Sequence, residues 1–95
     1  MTDRTEITLT VGNDDFDFVV DPAVMTKYIN SLTPANKVAP GNNLLMNTVV
    51  AAQKDKLKPL LGNPMTVLQI AGALVEEYAP TVEVTVKKRS ATPND

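Results

Sequence analysis

Two runs of strict alternation face each other across a short turn signal, and few folds other than a β-hairpin satisfy both. Ile7, Leu9 and Val11 alternate with Glu6, Thr8 and Thr10, and after Gly12-Asn13-Asp14-Asp15 the residues Phe16, Phe18 and Val20 alternate with Asp15, Asp17 and Val19. Successive side chains of a strand point to opposite faces, so each run has one apolar face to bury. The turn residues Gly, Asn and Asp tolerate the backbone angles of a tight hairpin loop. With Asn13-Asp14 as that loop, Val11 falls opposite Phe16, Leu9 opposite Phe18 and Ile7 opposite Val20, all on one face.

The hairpin's apolar face needs a cover, and the rest of the chain reads mainly as helices. Asp21-Pro22 joins a side-chain acceptor to a residue whose φ is already helical, which marks a helix start. Val24, Met25, Tyr28, Ile29 and Leu32 then recur at helical spacing until Thr33-Pro34 stops the run. The segment Thr33 to Asn43 is rich in Pro, Gly and Asn and reads as an irregular ordered connection. Leu44, Leu45, Thr48, Val49 and Ala52 define a second helix capped by Asn42 or Asn43, and Lys54 to Leu61 reads as a short helix ending at Gly62. Asn63-Pro64 repeats the cap-plus-proline start. From there Val67, Leu68, Ala71, Leu74, Val75 and Tyr78 form the longest apolar stripe, which predicts the main core helix.

After Ala79-Pro80, Val82, Val84 and Val86 alternate with Thr81, Glu83, Thr85 and Lys87, the pattern of a third strand. The expectation is therefore an α+β fold: a three-stranded antiparallel sheet, built from the N-terminal hairpin and the C-terminal strand, with three to four helices packed on one face. A chain of 95 residues buries one core, so residues 1–88 are expected to form a single domain and residues 89–95 a disordered polar tail.

Composition excludes most chemistry. The chain has no His, no Cys and no Trp, which removes the usual general base near neutral pH, the thiolate nucleophile and the soft metal ligands. Asn13, Asp14, Asp15 and Asp17 lack the spacing of a calcium loop and read as a solvated turn. Glu76 and Glu77 are neighbours about 100° apart on a helix and project in different directions, unlike a catalytic carboxylate pair. Ser31, Ser90 and the threonines have no activating partner in sequence, and Lys37 sits in no phosphate-loop pattern. Met25, Met46 and Met65 stand at apolar helix positions, where methionine usually fills core gaps. A formal net charge of −2 offers no broad cationic surface, and the cluster Lys87-Lys88-Arg89 is too small for a nucleic-acid site. No apolar run is long enough for a membrane span. No enzyme, metal or cofactor is expected, and neither nucleic acid nor membrane is an expected partner.

The strongest pointer to function is textual. Tyr28-Ile29-Asn30, Thr33-Pro34-Ala35-Asn36-Lys37-Val38-Ala39-Pro40, Asn43-Leu44-Leu45-Met46-Asn47-Thr48-Val49-Val50, Gln69-Ile70-Ala71 and Glu76-Glu77-Tyr78-Ala79-Pro80 together resemble the small tail assembly chaperones of tailed bacteriophages. The resemblance runs from the strand around Ile7 to that around Val84 and is most specific from Asn36 to Pro40. It implies a non-enzymatic helper of virion morphogenesis in the bacterial host cytoplasm, encoded by a phage or prophage, which binds tail proteins and above all the tape-measure protein. It implies no catalytic residues. A homo-oligomer is compatible with it. The alternative is a structural minor tail or neck protein retained in the virion. Because ordered loops on a rigid scaffold often carry recognition, Asn36, Lys37, Val38, Pro40 and Asn43 are the candidate partner-binding residues.

Overall fold

The protein's structure, a computed structural model, describes residues 4–79 and 85–87. Its elements are β1 (Thr5–Val11), β2 (Asp14–Val20), α1 (Pro22–Ser31), α2 (Val38–Thr48), a 3₁₀ turn (Ala51–Gln53), α3 (Lys54–Leu57), a second 3₁₀ stretch (Lys58–Gly62) and α4 (Pro64–Tyr78).

The hairpin forms as the alternation requires, but its register differs from the expected one. Thr5 pairs with Val20, Ile7 with Phe18, Leu9 with Phe16 and Val11 with Asp14, so the loop is Gly12-Asn13. Gly12 has φ +66° and no other residue has positive φ among the described ones. That places glycine at the first loop position, as in a type II′ turn, whose twist matches the strands. The shift is two residues, which leaves every side chain on its expected face. Phe16, Phe18, Val20 and Ile7 are buried. On the other face, Thr8 Oγ1 donates to Asp17 Oδ1 at 2.6 Å and Thr10 Oγ1 donates to Asp15 Oδ1 at 2.7 Å, cross-strand pairs that hold the register on the solvent side.

The three-stranded sheet is not found. The sheet of the described residues has two strands, and the architecture is α+β with four α-helices. Of the segment read as a third strand, Thr85–Lys87 lies in no strand and Val86 is 85% exposed, while residues 81–84 fall outside the described residues, as does the tail 89–95. One sheet edge is taken by a different part of the chain. Past α2, Val49 bridges Phe18, the Val50 N–H donates to the Asp17 carbonyl at 2.9 Å, and the Asp17 N–H donates to Gln53 Oε1 at 2.6 Å. Alternation reports that a segment can be half-buried; it does not choose which segment reaches the edge.

Both proline-marked helix starts are realised. Asp21 accepts from the Val24 N–H at 2.8 Å and Asn63 from the Met65 N–H at 2.9 Å, satisfying donors that the first helical turn leaves free. The connection expected over Thr33 to Asn43 is shorter than predicted. Only Thr33 to Lys37 is non-helical there, with the turn Thr33-Pro34-Ala35-Asn36 closed by reciprocal bonds of 3.2 Å between the backbones of Thr33 and Asn36, and α2 begins at Val38, ahead of Asn42 and Asn43. Two helix breakers are thus inside the helix. Pro40 is in the first turn, where its missing N–H has no intrahelical acceptor to lose. Gly41 lies where α2 meets α4: a Cβ there would stand 3.1 Å from Val67 Cγ1 and 3.5 Å from the Ala71 Cβ.

The core joins Ile7, Phe16 and Phe18 of the hairpin to Met25 of α1, Leu44 and Leu45 of α2, Leu57 of α3, and Ile70, Ala71 and Leu74 of α4. Along α4 the buried face is Val67, Ile70, Ala71 and Leu74, whereas Leu68, expected in the stripe, is exposed. Ala52 is exposed in the 3₁₀ turn rather than helical. Met25 fills the core as expected, but Met65 is exposed at the start of α4.

Leu74 is fully buried, so Leu74→Ala is expected to cost about 2–5 kcal/mol through lost transfer energy and a residual cavity. The two helical glycines should respond oppositely in urea unfolding. Gly41→Leu overpacks the α2–α4 contact and is expected to cost about 1–3 kcal/mol or more, while Gly72→Ala, with nothing within 4 Å of the added Cβ, should gain about 0.5–1 kcal/mol from helix propensity.

Candidate functional site

The tight turn at Thr33–Asn36 folds α2 back along α1 and leaves a groove between them. From α1 it is lined by Val24, Lys27, Tyr28 and Ser31, and from α2 by Pro40, Asn43, Leu44 and Asn47; it encloses about 290 Å³. Each set follows the spacing i, i+3, i+4, i+7, so each helix presents one continuous ridge. Val24, Tyr28, Pro40 and Leu44 supply the apolar floor. Lys27, Ser31, Asn43 and Asn47 supply a polar rim that is exposed to solvent.

The rim has spare hydrogen-bonding capacity. Ser31 Oγ is engaged, donating to the Lys27 carbonyl at 2.8 Å. The side chains of Lys27, Tyr28, Asn43 and Asn47 make no hydrogen bond or ion pair with another described residue. An ammonium, a phenol and two carboxamides therefore offer both donors and acceptors around an apolar strip. Such an arrangement offers apolar contact and hydrogen bonds, and its lining pairs no nucleophile with a base. Among the described residues no group of three or more His, Cys, Asp or Glu could hold a metal ion. Glu76 and Glu77 are both exposed at the end of α4.

The five candidate residues divide between two places. Pro40 and Asn43 line the groove, with Pro40 buried and Asn43 exposed. Asn36, Lys37 and Val38 are exposed on the connection and first residue of α2, outside the groove lining. Sequence reasoning assigned no role to Lys27, Ser31 or Asn47. Their signal was present in the helical spacing, but on a helix flank that the core-seeking pattern treats as plain solvent face.

The sequence model of a family described as "Phage tail assembly chaperone" matches residues 7–88. A protein of Haemophilus phage HP1 (strain HP1c1), named "Uncharacterized 11.3 kDa protein in lys 3'region", is 31% identical over 84 residues, covering 88% of this chain and 82% of the relative. No solved structure matches the chain.

Because the rim amides bond to no described residue, Asn43→Ala and Asn47→Ala are expected to change the unfolding free energy by less than about 0.5 kcal/mol each. Urea titrations of the two variants check this, and a larger loss would show that these side chains hold the helix pair together.

Proposed function

The chain belongs to the phage tail assembly chaperone family, and from that premise we propose that it acts by binding, without catalysis, to hold the tape-measure protein soluble in the host cytoplasm until the tail tube assembles around it. The observation that carries this reading is the groove between α1 and α2, an apolar strip with an unengaged polar rim. Its geometry suits an apolar ridge of a client helix laid along it, with the rim reaching the client's polar flank. The turn residues Asn36 and Lys37, with Val38, extend the surface at one end. No described helix is long and apolar enough to cross a membrane.

A chaperone must let go. A shallow groove with few buried anchors favours moderate affinity, because strong binding energy concentrates in aromatic or Arg side chains seated in desolvated pockets. Tyr28, half-buried at the groove floor, is the one aromatic available there. The rim amides and Lys27 then contribute hydrogen bonds worth about 0.5–1.5 kcal/mol each, somewhat more to a charged partner.

Co-expression with the cognate tape-measure protein is expected to raise the soluble fraction of that protein and to yield a co-purifying complex. Asn43→Ala combined with Asn47→Ala should weaken the complex about tenfold, the equivalent of about 1.4 kcal/mol, and Asn36→Ala with Lys37→Ala should weaken it while leaving thermal stability nearly unchanged. Capture unaffected by either pair would remove the α1–α2 region from the interface. Absence of any complex, with the chain present stoichiometrically in finished particles, would replace the chaperone with a retained structural tail protein.

A further inference from the structure

The two edges of the hairpin are not equivalent. In an antiparallel pair, opposed residues alternate between those that bond to each other and those whose N–H and C=O point away from the partner strand. The N–H and the carbonyl of Asp17 both bond off the sheet, to Gln53 and Val50. Asp17 and its partner Thr8 therefore form an outward-pointing pair, and by alternation so do Val19 with Glu6 and Asp15 with Thr10. On β2 these groups meet the chain after α2. On β1 the matching N–H and C=O groups of Glu6, Thr8 and Thr10 have no backbone partner among the described residues.

This edge, unpaired among the described residues, borders a second groove, of about 290 Å³, between β1 and α4, lined by Leu9, Val11, Ile70 and Ala73 with Thr66 and Gln69 at its margin. A strand added to β1 would place alternate side chains over this groove and the others on the polar face of the hairpin. That polar face carries an excess of acid. The strands carry Glu6, Asp14, Asp15 and Asp17 and no Lys or Arg. Lys56 is engaged with Asp14 at 3.0 Å, on the other side of the alternation, and Arg4, just before β1, shares the parity of Glu6 and lines a pocket with Val19. A second copy pairing through its own β1 would bring three carboxylates, Glu6, Asp15 and Asp17, and one cation, Arg4, to each side of the joint, and the excess of like charge across the strands is destabilising.

We infer that the β1 edge is a docking site for an extended segment of another protein in which apolar residues alternate with Lys or Arg: the backbone of Glu6, Thr8 and Thr10 pairs with it, the β1–α4 groove takes its apolar side chains, and Glu6, Asp15 and Asp17 take its cations. This is strand addition, with main-chain bonds giving affinity and alternate side chains giving selectivity. It involves a different face from the α1–α2 groove and does not depend on the function proposed for that groove.

The test uses the full chain and two blocked nine-residue peptides, one alternating Val with Lys and one alternating Val with Glu, read by amide exchange and chemical shifts. In the free protein the amides of Glu6, Thr8 and Thr10 should exchange fast while those of Ile7, Leu9 and Val11 are protected. The Val/Lys peptide should slow the first set at least tenfold and shift their resonances, less so at high salt, and the Val/Glu peptide should not. Thr8→Pro removes an outward donor that the hairpin does not use and is tolerated at an edge; it should abolish peptide binding while Ile7 and Leu9 stay protected. Glu6→Lys combined with Asp15→Lys should reverse the preference between the peptides, which a variant that merely unfolds cannot do. The inference is overturned if neither peptide perturbs Glu6, Thr8 and Thr10. It is overturned equally if those amides are already protected at low concentration, meaning the chain covers its own edge, or become protected only as protein concentration rises, meaning a second copy does.

Discussion

A two-stranded hairpin is marginal in water by itself, and the arrangement of this protein follows from the need to cover one face of one hairpin. Phe16 and Phe18, the only phenylalanines in the sequence, lie on that face and are fully buried. Burying side chains of this size is worth about 1.5–3 kcal/mol each. Four other parts of the chain converge on them: α1 through Met25, α2 through Leu44 and Leu45, α3 through Leu57, and α4 through Ile70 and Leu74. The opposite face, with its Thr–Asp pairs, stays wet and acidic.

Covering the hairpin with helices sets how those helices approach one another. α2 approaches α4 at position 41, where a Cβ would stand 3.1 Å from Val67 Cγ1, and along α2 Pro40 and Leu44 are buried while Asn43 and Asn47 remain outside. The groove against α1 is a by-product of this placement. Stability and the proposed recognition therefore share an element but use different sides of it: the α2 residues facing Val67 and Ala71 hold the fold, and the flank facing Tyr28 and Lys27 is unengaged among the described residues. A binding protein without His or Cys needs no more chemistry than this.

The hairpin repeats the division. Its inner groups pair strand to strand and its apolar face supports the core, while the outer edge of β1 is unpaired among the described residues and the carboxylates of the polar face, hydrogen-bonded to Thr8, Thr10 and Gln53, keep their charge. Among the described residues only β2 has its edge closed, by the chain that follows α2. Natural sheets usually shield an edge with charge, bulges or a covering segment, and on β1 Glu6 is the one charged side chain within the strand.

Local chemistry made much of this legible in advance. Period-two alternation at Ile7–Val11 and Phe16–Val20 dictated which side chains face inward, and that survived a two-residue register shift because such a shift preserves parity. Asp21-Pro22 and Asn63-Pro64 marked two helix starts, since an Asx acceptor and a preset φ act within one turn of chain and need no tertiary partner. The resemblance around Asn36 to Pro40 pointed to the family that the match over residues 7–88 establishes. Tertiary structure alone decided the rest. Whether Gly12 or Asn13 opens the turn depends on the twist of the paired strands. Whether Pro40 and Gly41 break a helix or lie within one depends on α4 lying against them. Which segment closes the β2 edge depends on where α2 delivers Val49 and Val50, not on the alternation of Val82, Val84 and Val86. Periodicity encodes how a segment can be buried; the partner that buries it is set by long-range packing, and so is the groove between α1 and α2, whose lining residues come from two helices and meet only when both have docked on the same hairpin.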